Sequence, residues 1–252
     1  MASPTPTPIQ AADGDRAASQ RQGLGARVTN RLANAFIWAL LRVLCRIDDA
    51  QVARVPTHGP LIVAVNHVNF LEVPLLATHL QPRPLTGFAK VETWDSPFLA
   101  PLANLWDAIP LHRDEVDPDA FRRALSALRA GRIVVVAPEG TRSGDGRLQR
   151  GHPGVVLLAL RSGAPILPLA HYGGERFWHN LRQLRRTAFH ICVGEPFCLE
   201  PGARTVTRTI RRQIADEIMV RIAALLPRPY HGVYAGAVER GMSRYLRPCQ
   251  GQ

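Results

Sequence analysis

At 252 residues the chain is long enough for one sizeable folded domain, and 46% hydrophobic residues exclude wholesale disorder. The formal net charge of +11 favours an anionic neighbour, namely nucleic acid, an anionic membrane surface or an anionic substrate. No known nucleic-acid-binding motif is present and the basic residues are not interleaved with aromatics, so nucleic acid is not an expected partner.

The predicted domain organisation has four parts. Residues 1–25 form a disordered tail without the apolar core of a signal peptide, and residues 26–50 contain an amphipathic helix. Residues 51–230 form the main domain, and residues 231–252 form a C-terminal extension. The four cysteines have no C-x-x-C or zinc-finger spacing, so we expect free thiols in a reducing compartment.

The first predicted element is a helix over residues 26–47. Its apolar stretch is shorter than the ~20 residues that span a bilayer. Apolar side chains next to arginines are typical of a helix in the membrane interface, although an ordinary helix packed on the domain has the same pattern. In the membrane interpretation the apolar side chains enter the bilayer and the arginines meet lipid phosphates, the residues being Phe36, Trp38 and Leu41, and Arg27, Arg31, Arg42 and Arg46.

After this helix, apolar runs that predict strands alternate with segments of helical periodicity. In chain order these are strand 61–65, helix 70–80, strand 85–89, helix 97–105, strand 108–111, helix 118–130, strand 133–136, helix 153–162, strands 165–170 and 188–193, and helix 206–226. The alternation predicts a single-domain α/β sandwich, with a mostly parallel or mixed central sheet flanked by helices.

The first candidate site lies where strand 61–65 ends. His67 follows the strand, and Glu72 lies five residues further on in the next helix. A carboxylate bonded to one imidazole nitrogen fixes the tautomer and stabilises the imidazolium after the other nitrogen has taken a proton. Because the chain has no G-x-S-x-G nucleophile motif, such a base would activate a substrate hydroxyl directly. The alternative is a histidine with a structural role.

The second candidate site follows strand 133–136. Gly140 allows an anion to approach the backbone, Thr141 supplies a hydroxyl and Arg142 can grip a phosphate with two hydrogen bonds. Glu139 would hold a substrate hydroxyl or orient a basic side chain. The alternative is a turn with a surface ion pair.

Two further cations also follow apolar runs. Lys90, the only lysine in the chain, follows strand 85–89, and Arg113 follows strand 108–111. If the strands are largely parallel, these cations and both candidate sites converge on one edge of the sheet. Together they indicate acyl transfer to a hydroxyl on a phosphate-bearing acceptor.

The ordered motifs resemble those of the glycerolipid acyltransferase superfamily, in particular bacterial 1-acyl-glycerol-3-phosphate acyltransferases. The resemblance rests on Asn66-His67 with Glu72, the block from Lys90 to Arg113, the segment from Pro138 to Ser143, and the apolar segment from Ala164 to Leu169. It implies that His67 is the general base and Glu72 its partner. It also implies that the acceptor's phosphate and glycerol are bound by Lys90, Arg113, Glu139, Gly140, Thr141 and Arg142.

The same resemblance implies an acyl thioester donor on CoA or acyl carrier protein, a lysophosphatidic acid or related acceptor, and phosphatidic acid as the product for phospholipid synthesis. No cofactor, metal or covalent enzyme intermediate is expected, and the enzyme is expected to be peripheral at the cytoplasmic face of an anionic membrane. The chain departs from the family at Glu72, where aspartate is usual. This departure leaves open another lyso-lipid acceptor, such as a lysophospholipid or an amino-acid lipid, or a non-catalytic lipid-binding relative.

Overall fold

The computed structural model describes residues 24–112, 117–200, 206–241 and 244–249. Two predictions fall outside these ranges. They are the disordered tail as far as residue 23, and the placement of Arg113.

Nine strands and eight α-helices occur in the described residues. The strands are β1 (Cys45–Asp48), β2 (Leu61–Val65), β3 (Leu85–Lys90), β4 (Ile109–Leu111), β5 (Ile133–Val136), β6 (Ile166–Tyr172), β7 (Thr187–Val193), β8 (Phe197–Leu199) and β9 (Leu246–Pro248). The helices are α1 (Leu24–Leu44), α2 (Glu72–His79), α3 (Leu99–Leu105), α4 (Pro118–Arg129), α5 (Gly154–Ser162), α6 (Phe177–Arg182), α7 (Arg208–Ala223) and α8 (Ala235–Arg240).

The sheet has the strand order β1-β7-β6-β2-β5-β3-β4, with β8 joined to β6 and β9 joined to β8. Strands β6, β2, β5, β3 and β4 pair in parallel, whereas β7 and β8 run antiparallel to β6. The carboxyl ends of the five parallel strands therefore lie along one edge of the sheet.

The core lies on both faces of this sheet. Along β2, Ile62 and Ala64 pack under α4, α5 and α7, while Leu61, Val63 and Val65 pack under α1 and α2. All five are buried, as a continuous apolar run in a strand covered on both faces requires. The predicted α/β sandwich with a mostly parallel sheet is confirmed.

Helix ends follow local chemistry. Asp117 caps α4 by accepting hydrogen bonds from the backbone N–H groups of Asp119 and Ala120, and Pro118 occupies the first turn. Gly163 ends α5 with φ of +67°, a left-handed conformation that glycine adopts without steric cost.

The predicted helix 26–47 is wrong at its C-terminal end, because α1 stops at Leu44. Residues Cys45–Asp48 instead form β1 and pair in parallel with β7. Arg186, next to β7, donates to the carbonyl oxygens of Arg42 and Cys45 and so satisfies acceptors at the end of the helix. This end is set by pairing with distant residues.

Helix α1 has two apolar faces. Leu41 is buried in the core, so its predicted insertion into a membrane is wrong. Arg42 pairs with Asp49 and lies 4.7 Å from the ring centroid of Trp38. The opposite face carries exposed apolar side chains at helical spacing, namely Val28, Leu32, Phe36, Leu40 and Val43.

The prediction of four free thiols is also wrong. Cys198 and Cys249 form a disulfide with their Cα atoms 5.1 Å apart, while Cys45 and Cys192 are free. Pairing of β8 with β9 brings together cysteines 51 residues apart in the chain, which spacing alone does not reveal.

The C-terminal residues belong to the same fold. The carboxylate of Glu217 in α7 accepts hydrogen bonds from the backbone N–H groups of Arg244 and Tyr245, at 3.0 and 2.9 Å. Strand β9 then extends the sheet beyond β8, and the predicted boundary at residue 230 stays a prediction.

Candidate active site

The two motif loops lie side by side because β2 and β5 are parallel neighbours. The backbone N–H of Ser143 donates to the carbonyl oxygen of His67 at 2.8 Å. The N–H of Gly144 donates to the carbonyl oxygen of Val68 at 3.1 Å. Both loops therefore form one continuous surface at the carboxyl edge of the sheet, as predicted.

His67 and Glu72 are in direct contact. The His67 Nδ1 atom bonds to Oε1 of Glu72, which is the first residue of α2 and is 3% exposed. The Glu72 Oε2 atom accepts hydrogen bonds from the backbone N–H groups of Val68 at 2.9 Å and Asn69 at 3.1 Å. A carboxylate at a helix N-terminus is favoured by the helix dipole, and these donors fix its orientation. The contact follows the predicted spacing, and the catalytic roles stay predictions.

Glu139 is buried and held by backbone groups. Its Oε1 accepts from the N–H of His67 at 2.8 Å, and its Oε2 accepts from the N–H of Gln149 at 2.8 Å. Burial raises the pKa of this carboxyl, although the two hydrogen bonds oppose that shift. In this geometry Glu139 positions the His67 loop, and its predicted part in holding a substrate hydroxyl or orienting a basic side chain stays a prediction.

The rest of the second motif faces outward. Thr141 and Arg142 are exposed, and Gly140 has φ of +69°. A Cβ atom on Gly140 would also lie 3.3 Å from Cδ2 of His152, so glycine fits both the conformation and the space. The exposed Arg142 guanidinium can therefore contact an anion above the loop, as its predicted role requires.

Lys90 lies at the end of β3, two strands from β2, and is exposed. Strands are spaced about 4.8 Å apart, which puts Lys90 roughly 10 Å along the edge from the His67 loop. Lys90 thus lies on the predicted edge of the sheet, and its contact with an acceptor stays a prediction.

His171, at the end of β6, was not among the predicted site residues. Its Nε2 lies 3.1 Å from Oε2 of Glu72 and 2.9 Å from the carbonyl oxygen of Asn66. Burial lowers the pKa of His171 to about 4, so the ring is neutral at neutral pH. The signal was present, because His171 directly follows the predicted strand 165–170, as His67 follows 61–65.

Two further residues of the first loop were also missed. The Asn69 side chain donates to the carbonyl oxygen of Gly174 at 2.7 Å and accepts from the N–H of Leu71 at 2.9 Å. Phe70 stacks on Trp178 with centroids 5.3 Å apart, and both rings are partly exposed. This aromatic pair forms an apolar rim three residues from His67.

Comparison with known proteins places this geometry in a family. The family model Acyltransferase matches residues 46–172, half of the chain, and includes both motif loops and His171. The chain belongs to the Acyltransferase family. The predicted resemblance and the prediction of an acyltransferase enzyme are therefore confirmed.

Individual relatives agree with this assignment. The chain is 25% identical over 142 residues to a 1-acyl-sn-glycerol-3-phosphate acyltransferase of Bacillus subtilis, covering 56% of this chain and 68% of that enzyme. It is 27% identical over 148 residues to a lyso-ornithine lipid O-acyltransferase of Pseudomonas aeruginosa, covering 58% of this chain and 56% of that enzyme.

The crystal structure of the acyltransferase PlsC from Thermotoga maritima has the same fold. It matches with a TM-score of 0.60 at 20% identity, covering 93% of this chain and 90% of that one. The present chain therefore shares the fold of that structure over 93% of its length.

Proposed function

We propose that this chain transfers a fatty acyl group from an acyl thioester to the free hydroxyl of 1-acyl-glycerol-3-phosphate. The observation that supports this most is the His67–Glu72 pair bonded through backbone groups to the loop that carries Arg142. A base and an anion-binding arginine on one surface suit an acceptor that has both a hydroxyl and a phosphate. The relative from Bacillus subtilis bears the name of that activity.

In the proposed mechanism His67 removes the proton of the acceptor hydroxyl through Nε2, while Glu72 stabilises the imidazolium through Nδ1. The hydroxyl oxygen attacks the thioester carbonyl, and the tetrahedral intermediate collapses with loss of the thiolate. His67 then returns its proton to the thiolate. The enzyme forms no covalent intermediate, and the acyl thioester is the only co-substrate, carried by CoA or acyl carrier protein.

Binding of the acceptor is assigned to the exposed cations of the same edge. Arg142 grips the phosphate, and Lys90 meets the headgroup from two strands away. Gly140 and Thr141 line the approach to the phosphate, and Arg113, which lies outside the described residues, is a further proposed contact. Glu139 acts on the acceptor indirectly, through the backbone of His67.

The proposed acceptor is a membrane lipid, so the site has to meet a bilayer. Among the described residues no helix has the length and apolar character that crossing a membrane requires. Helix α1 offers an exposed apolar face with Leu32, Phe36 and Val43 at spacings of four and seven residues. We propose that this face inserts into an anionic membrane surface, at the cytoplasmic side where acyl carriers reside.

A second acceptor is supported by the relative from Pseudomonas aeruginosa, whose name specifies a lyso-ornithine lipid. The free hydroxyl on that lipid could be acylated by the same base, whereas Arg142 would have no phosphate to bind. The two acceptors thus make different demands on Arg142.

The test is release of free thiol from acyl-CoA by the purified full chain, with 1-acyl-glycerol-3-phosphate and lyso-ornithine lipid offered separately. We expect thiol release and diacyl product with the phosphate-bearing acceptor. If product forms only from lyso-ornithine lipid, that lipid is the acceptor, and the proposed acyl transfer by His67 still holds. No turnover with any lyso-lipid, with either CoA or acyl carrier protein as carrier, would support the non-catalytic lipid-binding alternative.

A further inference from the structure

Two imidazoles share one buried carboxylate. Glu72 bonds to Nδ1 of His67 through Oε1, while Nε2 of His171 lies 3.1 Å from Oε2. The His171 side chain is 1% exposed and Glu72 is 3% exposed. Oε2 also accepts from the backbone N–H groups of Val68 and Asn69, and each polar group near a carboxylate this deeply buried favours its ionised form.

The surroundings of His171 determine which nitrogen carries its proton. Nε2 lies 2.9 Å from the carbonyl oxygen of Asn66, and a carbonyl can only accept. Nε2 is therefore protonated and donates to that carbonyl, with Oε2 of Glu72 lying 3.1 Å away beside the same N–H. The buried Nδ1 atom has no hydrogen-bond partner in the described part of the chain, which suits its lone pair in this tautomer.

The position of the His171 ring is fixed from two sides. The side chain of Asn66 accepts from the backbone N–H of His171 and donates to its carbonyl oxygen, both at 2.9 Å. The ring stacks on Phe189 with a centroid separation of 5.2 Å and an interplanar angle of 14°. His171 thus holds a rigid, neutral N–H beside the carboxylate that contacts His67.

We propose that His171 is a positioning residue for the base His67, acting through Glu72. It holds the carboxylate ionised and in the orientation that meets Nδ1 of His67. The proposal rests on the proposed function, because it presupposes that His67 is the base. The proposal also explains the position of Glu72. One oxygen of its carboxylate contacts His67, and the other lies 3.1 Å from Nε2 of His171.

A pH profile separates this role from simple packing. The positive end of the His171 N–H dipole lies close to Glu72, with Nε2 3.1 Å from Oε2, and so disfavours a second positive charge on His67. Its removal leaves the carboxylate less stabilised, and the His67–Glu72 pair then keeps its extra proton to higher pH. The acidic limb of the activity profile should shift upward.

Other ionisable groups around the pair have to stay constant for this comparison. Glu139 accepts from the backbone of His67 and acts electrostatically on His171, as does Glu175 in the turn after β6. Asp145 acts on Glu139 from the second motif loop. Changes confined to position 171 leave all three in place.

The experiment measures kcat and KM for acyl-CoA and 1-acyl-glycerol-3-phosphate between pH 5 and 9 in the intact protein. His171→Phe keeps an aromatic ring over Phe189 without a donor, and His171→Gln restores an N–H near the position of Nε2. His231→Phe is the matched control, since this buried histidine bonds to the carbonyl oxygen of Leu226 instead of Glu72. If the phenylalanine variant does not fold, His171→Met replaces it.

We expect kcat of His171→Phe to fall about 10-fold, because a polar N–H 3.1 Å from the Glu72 carboxylate is lost, with little change in KM. Its acidic limb should shift to higher pH, and His171→Gln should restore both rate and profile. His231→Phe should leave the profile unchanged.

A folded His171→Phe variant with the wild-type profile would overturn the inference, as would a loss of rate that the glutamine variant does not restore. His67→Ala, measured in the same assay, distinguishes failure of the proposed function from failure of the role proposed for His171. Wild-type turnover in that variant means that the proposed function itself has failed. An inactive His67→Ala beside a fully active His171→Phe means that only the role of His171 is wrong.

Discussion

The carboxylate of Glu139 accepts a 2.8 Å hydrogen bond from the backbone N–H of His67, so one motif loop holds the other in place. The second oxygen of Glu139 accepts from Gln149, which ties the same carboxylate to the chain that leads into α5. Two motifs separated by 72 residues therefore act as one structural unit. A substitution in either loop should therefore change the position of His67.

His67→Ala should abolish most turnover and leave the fold intact. Loss of a general base costs ~10²- to 10⁴-fold in rate, while His67 belongs to neither of the two buried apolar clusters. Thiol release from acyl-CoA measures the rate, and thermal unfolding checks the fold. A folded variant that turns over like the wild type would contradict the assignment of the base.

Glu72→Asp should lower kcat, even though the resemblance of the first motif implies aspartate at this position. Glu72 meets His67 with one oxygen and Val68 N, Asn69 N and His171 with the other. A carboxylate one methylene shorter cannot reach all of these donors without movement of the loop. We expect a decrease of about 10-fold, on the scale of one hydrogen bond to a charged group. A rate equal to the wild type would show that glutamate is merely tolerated here.

Arg142→Ala should raise the KM for 1-acyl-glycerol-3-phosphate about 10-fold or more, because a charge-assisted phosphate contact is worth roughly 1.5–3 kcal/mol. KM for acyl-CoA should change little. Arg147→Ala is the control, since Arg147 is an exposed arginine of the same loop whose nearest carboxylate is Asp145 at 3.9 Å. A larger effect on the donor than on the acceptor would assign the phosphate to another residue.

Phe36→Asp should reduce sedimentation with anionic vesicles about 10-fold or more, since a buried phenylalanine side chain contributes roughly 1.5–3 kcal/mol. Phe36 is 69% exposed in α1, so the change leaves the core intact. Leu184→Asp is the control, because Leu184 is 96% exposed outside α1 and its φ of +53° suits aspartate. Equal losses in both variants would show that the α1 face is not the anchor.

The stability of the fold should depend on pH through His171. Its pKa is lowered from 6.5 to about 4, so the unfolded chain binds its proton at a higher pH than the native state does. Stability is then fully present above pH 6.5 and is lost as the pH falls toward 4, by up to about 3 kcal/mol. Below that range both states are protonated and this contribution stays constant.

This dependence is measured as the free energy of unfolding in urea at several pH values between 4 and 7. His171→Phe should show a shallower loss than the wild type, while His231→Phe should follow the wild type. Parallel curves for wild type and His171→Phe would mean that the native ring titrates in its ordinary range.

The sequence by itself determined the layered α/β fold, the order of most of its strands and helices, and the convergence of the two motifs on one edge. Apolar runs of strand length, helical periodicity, and charged residues after buried strands are local features. If the strands are parallel, their carboxyl ends lie at the same edge of the sheet, and the convergence of the motifs follows. The contact between His67 and Glu72 is also local. The two residues are five positions apart, one in the loop after β2 and the other at the start of α2.

Tertiary structure alone decided what depends on pairing between distant residues. Cys45–Asp48 forms a strand because β7 lies beside it, and Cys198 meets Cys249 because β8 pairs with β9. Glu139 bonds to the backbone of His67, and His171 reaches Glu72, only because β5 and β6 flank β2. Strand order is set by the packing of helices over the whole sheet, so no local pattern near these residues contains it.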